Sequence, residues 1–335
     1  MTLLLECIRK CRRWLLLCVT VLLVACAEGE NYASHPAAAA FIERLVTEDG
    51  FAREELNSVF AQTVRQESIL AAIARPAEKT KSWQEYREIF VTDKRTRQGV
   101  AFMRKHGDTL ARAENETGVP ASIIAAVMGV ETYYGRVTGR YGVVEALATL
   151  AFDSPPRADF LTRELRHLLI LAREQGLDPL SLKGSYAGAM GYGQFMPSSY
   201  RSYAVDFDGD GSVDIWDNPV DAIGSVANYF RRHGWRPEET ITLPARVSGE
   251  LPESWINAGL KPERTVAKYI AVGLEPLGDA PDDALATVMA LEGEEGVEYW
   301  LGLHNFYVIT RYNHSAMYAL SVYQLSQRLR AGAGA

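Results

Sequence analysis

The chain has 335 residues, 47% of them hydrophobic, and a formal net charge of −7. That is enough apolar material for one large domain or two to three small ones, each with its own core. The acidic balance excludes a nucleic-acid face and argues against bulk attraction to an anionic polymer. Any partner must be recognised by shape and local contacts.

The N-terminus reads as a targeting segment over residues 1–25. Arg9, Lys10, Arg12 and Arg13 form a basic region, and Trp14 to Val24 is an apolar stretch too short for a comfortable membrane span. It closes on Leu23-Val24-Ala25-Cys26, which resembles a bacterial lipoprotein signal, with Cys26 as the lipidated first mature residue. An ordinary secretory signal or an uncleaved anchor is the alternative. Ala27 follows where Asp would favour the inner membrane, so the outer membrane is the expected destination. The four cysteines, Cys7, Cys11, Cys18 and Cys26, all lie in or at the end of this segment. The mature chain therefore has no disulfide, no thiol nucleophile and no cysteine-ligated zinc. Residues 1–25 carry four basic groups and one acidic group, so without them the charge is −10.

Residues 26–40, ending in Ala37 to Ala40, read as a lipidated tether. A helical domain is expected over 41–117, with Pro76 as a break. Residues 118–239 form the next unit. Within it, Val119 to Gly135 reads as a helix, with Pro120 in the first turn and Gly135 as the stop. Ile124, Val127 and Met128 lie seven, four and three residues before Glu131, which puts the carboxylate on the apolar stripe. Burial favours the neutral acid, the form a general acid needs. A core glutamate paired with arginine fits the same pattern. Ala158 to Gln175 is a further helix, stopped by Gly176.

From Gly184 to Asp221 the chain reads as loop. The run Gly184 to Tyr200 has four glycines by Gly193, which let backbone approach a ligand. Ser185, Tyr192 and Gln194 offer hydrogen bonds, while Met190, Phe195 and Met196 offer apolar surface. Sugars are bound by that mix, though a tight structural loop has the same composition. Next, Asp206, Asp208, Asp210 and Asp214 fall at positions one, three, five and nine of a calcium-type loop. Gly211 occupies the sharp-turn position, and Ser212 can offer its carbonyl. The closing ligand is either Asp217 or Asp221. Asp221 is favoured, because Pro219 turns it into the first turn of a helix running to His233.

A small β-rich unit is expected over 240–299, and Trp300 to Val308 can add strand. Residues 300–330 close the core, with Ser315 to Arg330 as the last helix. The six histidines are scattered. The sequence contains no nucleophile-elbow, zinc-helix or phosphate-loop motif.

Several of these features, in this order, resemble the membrane-bound lytic murein transglycosylase B family. They are Glu131-Thr-Tyr-Tyr-Gly135, the Gly184–Tyr200 run, the modified calcium loop, the Asp221–Phe230 segment and the Thr310–Ser315 segment. The resemblance implies a mainly α (α+β) fold: a lysozyme-like helical core, an N-terminal helical domain and a small inserted β-rich domain. It implies Glu131 as the catalytic acid. Calcium would be held by Asp206, Asp208, Asp210, Asp221 and the carbonyl of Ser212. Substrate contacts carry over to Tyr86, Arg157, Ser185, Gln194, Tyr229, Tyr312, Asn313 and Tyr318. Pro156 stands where some members have arginine, and Phe160 where some have tyrosine, so contacts to a peptide stem differ there. Asn218 lengthens the calcium loop relative to some members.

The resemblance also implies the reaction: cleavage of the MurNAc–GlcNAc bond of peptidoglycan strands with a 1,6-anhydro product and no organic cofactor. Most glycosidases use two carboxylates, but no partner stands near Glu131 in the sequence. A water-using muramidase and a catalytically idle, lipid-anchored peptidoglycan-binding protein are the competing readings. A desolvated acid speaks against the idle one.

Overall fold

In the computed structural model, residues 31–73 and 81–334 are described. The expected signal peptide, Cys26 and the break at Pro76 lie outside them.

The expected tether ends early. Helix α1 (Pro36–Asp49) begins inside it, with Pro36 in its first turn and His35 capping the Ala37 N–H. Alanine is the strongest helix former and proline suits the first turn. The small residues that suggest a linker are thus the start of a helix. Ahead of it, Tyr32 is only 1% exposed. Its N–H donates to the Thr63 carbonyl, and its hydroxyl donates to Asp153. Arg65 and His35 also approach that carboxylate. Asn31 and the residues after it are therefore part of the body.

Helices α2 (Arg53–Gln62), α3 (Glu67–Ile73), α4 (Trp83–Phe90), α5 (Asp93–Lys105) and α6 (Gly107–Thr117) complete the first half. Helix α4 starts with a reciprocal cap between Ser82 and Glu85, a strong local start signal. Helix α7 (Ala121–Thr132) follows. Ser122 through Val130 are all buried, so it has no wet face. It is the central helix, packed by α5, α6, α11 (Pro219–Arg232) and the closing helix α14 (Ala316–Ala333). The expected apolar stripe is a fully enclosed helix whose last turn brings Glu131 to a half-buried position.

Strand β1 (Tyr141–Gly142) pairs with β2 (Lys183–Gly184), bracketing α8 (Val143–Asp153) and α9 (Ala158–Gln175). Helix α9 ends where Gly176 takes φ 64° and returns its N–H to the last turn. Within the stretch read as loop, Pro197–Tyr203 forms a short helix, α10.

The β-rich unit is a five-stranded antiparallel sheet, from β3 (Thr242–Val247), β4 (Arg264–Thr265), β5 (Leu274–Pro276), β6 (Leu285–Gly293) and β7 (Gly296–Gly302). Its order is β4-β6-β7-β3-β5. Helix α12 (Val266–Ile270) covers it. Val266, Tyr269, Leu274, Val288 and Leu301 make a core separate from that of the helices. Strand β7 stops at Gly302, and the expected strand character beyond it is wrong. His304–Tyr312 is a helix, α13, because Phe306, Val308 and Ile309 are buried against the helical body.

Candidate active site

Glu131 lies in the last turn of α7, half-buried, and accepts a hydrogen bond from the Tyr318 hydroxyl at 2.7 Å. Tyr318 comes from the first turn of α14 and is 2% exposed. Its phenol is pushed well up by burial, then by the nearby Glu131 charge, with Tyr312 and Tyr86 adding to it. It therefore stays a donor to Glu131 across the working range. Tyr312, at the end of α13, stacks nearly parallel to Tyr318, with centroids 6.5 Å apart and planes 8° apart. Burial and then Glu131 push its phenol up as well. Its hydroxyl donates to the Gly193 carbonyl at 2.5 Å. The Tyr229 ring meets Tyr312 edge-on at 4.7 Å, and its hydroxyl donates to the Arg311 carbonyl at 2.6 Å. Glutamate and tyrosines thus form one cluster built from α4, α7, α11, α13 and α14.

The position of Glu131 depends on how α7 ends. The helix stops at Thr132, not at the expected Tyr134. Tyr133 and Tyr134 take left-handed backbone, φ 56° and 62°, which costs about 1–2 kcal/mol per residue without glycine. Tyr134 offsets this. Its ring fills a slot left by Gly99 and Gly129, where an added Cβ would come within 2.2 and 2.7 Å of it. Its hydroxyl donates to the Arg95 carbonyl at 3.0 Å. The Thr132 hydroxyl donates to the Tyr192 carbonyl at 2.8 Å, clipping the helix end to the glycine-rich run. The mid-helix Gly129 is the sequence signal for this slot.

That run is a tight hairpin. Met190 and Phe195 exchange backbone hydrogen bonds, both 2.9 Å, across the turn Gly191–Gln194. Its glycines allow close packing within the protein. A Cβ on Gly184 would sit 2.3 Å from the Ala189 carbonyl, and one on Gly191 the same distance from that of Ile215. Gln194, at φ 50°, donates to the carbonyls of Thr138 and Gly191, both 3.0 Å. The Ser185 hydroxyl accepts from the Ala187 and Ala189 N–H groups.

Met190 is fully buried and Phe195 is 3% exposed, so neither offers the sugar-facing apolar surface expected of it. Phe195 packs beneath Tyr229 and Tyr312, 5.9 Å from each. Backbone pairing across the hairpin points both side chains inward. Tyr192 is half-buried, its phenol pushed up by burial and then by Asp217 and Asp214. Tyr86, midway along α4, is 2% exposed and tilts on Phe90 at 5.0 Å. Asn313 follows α13, half-buried. Arg157 is exposed on the turn before α9, over the Phe160 ring at 5.1 Å.

Beyond the hairpin, Asp206, Asp208 and Asp210 each bring a carboxylate oxygen within 4.8 Å of the others. Asp206 accepts from the N–H groups of Gly209, Asp210 and Gly211, which wraps the loop around it. Ser212 gives its N–H to Asp210. Asp208 is held below the usual carboxylate range, first by the Asn218 amide. Asp221 is fully buried in the first turn of α11 and accepts from the N–H groups of Phe207 (2.7 Å) and Asp214 (2.8 Å). It therefore joins both limbs of the loop, and burial pushes its carboxyl up. Asp217 is exposed, with its N–H on Asp214.

Sequence reasoning missed Arg95. It is 9% exposed, with its guanidinium 4.6 Å from the Tyr133 ring and 5.1 Å from that of Phe90, and burial lowers its pKa. It joins α4 to the end of α7. Nothing local marks it, because Tyr133 arrives from far along the chain.

Residues 33–327 match the family described as Transglycosylase SLT domain. The chain is 43% identical over 308 residues to membrane-bound lytic murein transglycosylase B of Escherichia coli (strain K12), covering 89% of this chain and 84% of that protein. It superposes on the soluble lytic transglycosylase SltB1 of Pseudomonas aeruginosa with a TM-score of 0.85 and 54% identity, over 90% of this chain and 100% of that one. The lytic transglycosylase Slt35 of Escherichia coli in complex with calcium gives 0.83 and 43%, over 92% and 96%. A family match over nearly all of the described residues, with relatives this similar over most of their length, shows that the chain belongs to the transglycosylase SLT family, the lytic transglycosylases of peptidoglycan.

Proposed function

We propose that Glu131 carries the reaction alone, first as acid and then as base. The supporting observation is the hydrogen bond that Tyr318, from a largely buried aromatic cluster, gives to the half-buried Glu131 carboxylate. Glu131 gives its proton to the glycosidic oxygen between N-acetylmuramic acid and N-acetylglucosamine, and the bond from that oxygen to the muramyl C1 breaks. The acetamido group of the muramyl residue stabilises the positive C1. The muramyl 6-hydroxyl then attacks C1 and returns its proton to Glu131. No water is consumed, and the product ends in a 1,6-anhydro ring. Tyr318 holds the carboxylate in place through both steps. The half-buried Ser185, Tyr192, Gln194, Tyr312 and Asn313 are the proposed glycan contacts, Tyr86 and Tyr229 offer only a hydroxyl-bearing edge beneath them, and Arg157 meets the peptide stem.

The test is the product. Digests of murein sacculi are expected to release muropeptides of anhydro mass that borohydride does not reduce. Reducing ends in their place would make the protein a hydrolytic muramidase and remove the intramolecular step.

Calcium is proposed as structural. Slt35 binds it, and the donor set here suits it: three clustered hard carboxylates, those of Asp206, Asp208 and Asp210. Asp206, Asp208, Asp210 and the Ser212 carbonyl would hold the ion, with Asp221 closing the loop.

A lipid on Cys26 is proposed to attach the protein to the periplasmic face of the outer membrane. No helix among the described residues is long and apolar enough to cross a membrane, and the Escherichia coli relative is named as membrane-bound. Cys26→Ser is expected to move the protein from the membrane fraction to the soluble one or to leave it uncleaved. Unchanged fractionation, with no acyl mass on the wild type, would remove the anchor.

A further inference from the structure

The sheet is joined to α4 through one carboxylate. Glu298, near the start of β7, accepts from the Trp83 indole N–H at 3.1 Å, the Arg87 guanidinium at 3.1 Å and the Trp300 indole N–H at 3.2 Å. Trp300 lies on the same strand. Trp83 and Arg87 both lie on α4, one turn apart, so they share a face. Trp83 is 1% exposed, and the Arg87 guanidinium sits 5.8 Å over its ring. Between them in sequence is Tyr86, 2% exposed and close enough to Tyr318 to help push its phenol up, which places it at the edge of the Glu131 cluster.

Two anchor points one turn apart fix the rotation of a helix about its axis. A tyrosine hydroxyl stands on the order of 9 Å from that axis. A rotation of about 10° therefore moves it by roughly 1.5 Å, enough to spoil a binding contact. Three donors converging on one side chain need the several lone pairs of a carboxylate. We infer that Glu298 is a positioning residue for glycan binding: it locks α4 to the sheet and thereby fixes where Tyr86 stands beside Tyr318 and Glu131. The inserted sheet then has a task in substrate recognition without touching the glycan. This rests on Tyr86 contacting the glycan, as proposed above.

The experiment uses the full chain, soluble uncrosslinked glycan strands, and separate values of kcat and KM. Glu298→Ala is expected to raise KM about five- to tenfold, as loss of a charge-assisted contact does, with kcat within about twofold. Glu298→Gln keeps one oxygen for the two indoles and is expected to recover most of the loss. Tyr86→Phe alone should raise KM, and in the Glu298→Ala background it should add little. Unchanged KM in Glu298→Ala overturns the inference. So does a fall in kcat alone that tracks a fall in melting temperature, since that marks a purely structural residue. So does full additivity with Tyr86→Phe. A neutral Tyr86→Phe single variant would instead strike the groove reading of Tyr86, and it is visible without any change at Glu298.

Discussion

Glu131→Gln is expected to cut turnover on murein by a factor on the order of 10² to 10⁴, the usual loss when a general acid is removed, with an unchanged melting curve. Gln is nearly isosteric and can still accept from Tyr318, so the aromatic cluster should survive. It lacks the proton to give to the glycosidic oxygen and, later, the base to take one from the 6-hydroxyl. Both half-steps fail together, so the loss should fall on kcat and leave KM nearly untouched. Activity within a few-fold of wild type would rule Glu131 out as the acid.

Chelation of calcium is expected to lower the melting temperature without abolishing low-temperature turnover at saturating substrate. The loop ends in the first turn of α11, and that helix carries Tyr229 into the cluster. An ion that binds only the folded form contributes roughly 2.7 kcal/mol at a hundredfold excess over Kd, which corresponds to about 4 °C for a body of this size. Asp206→Ala or Asp210→Ala should reproduce the shift and make the chelator ineffective. Asp221→Ala should cost more, because it also orphans the Phe207 and Asp214 N–H groups, at about 1–3 kcal/mol each. A melting curve indifferent to chelator would remove the calcium claim. Immediate, reversible loss of activity with the fold intact would point instead to a direct catalytic role.

Features encoded by local periodicity or spacing were legible in the sequence. Helix α9 shows its apolar face and its glycine stop within its own residues. The acidic loop shows its aspartates at fixed intervals. The mainly α fold with a small sheet follows from the same signals together with the family resemblance. What required the folded chain was set by distant partners. Residues 304–308 carry strand-like aromatics and valine, yet their burial against the helical body makes them helical. The glycines of the 184–193 run pointed toward a ligand, but the carbonyls they approach come from Ala189 and Ile215. The parallel stack of Tyr312 on Tyr318 joins two helices. Glu298 is unmarked in the sequence because two of its three partners, Trp83 and Arg87, lie more than 200 residues away.

The burial of Tyr32 sets a leash. A linker running from Cys26 to Ala40 could stretch about 50 Å. Because Asn31 already pairs with Val64 and Tyr32 is clamped on Asp153, only five steps of chain separate Cys26 from the body. Fully extended, they span at most about 18 Å. With a lipid on Cys26, the body would ride within about two nanometres of the bilayer, always tethered at the same corner. It could swivel there but not roam, and it would cleave only the layer of wall that comes down to meet it.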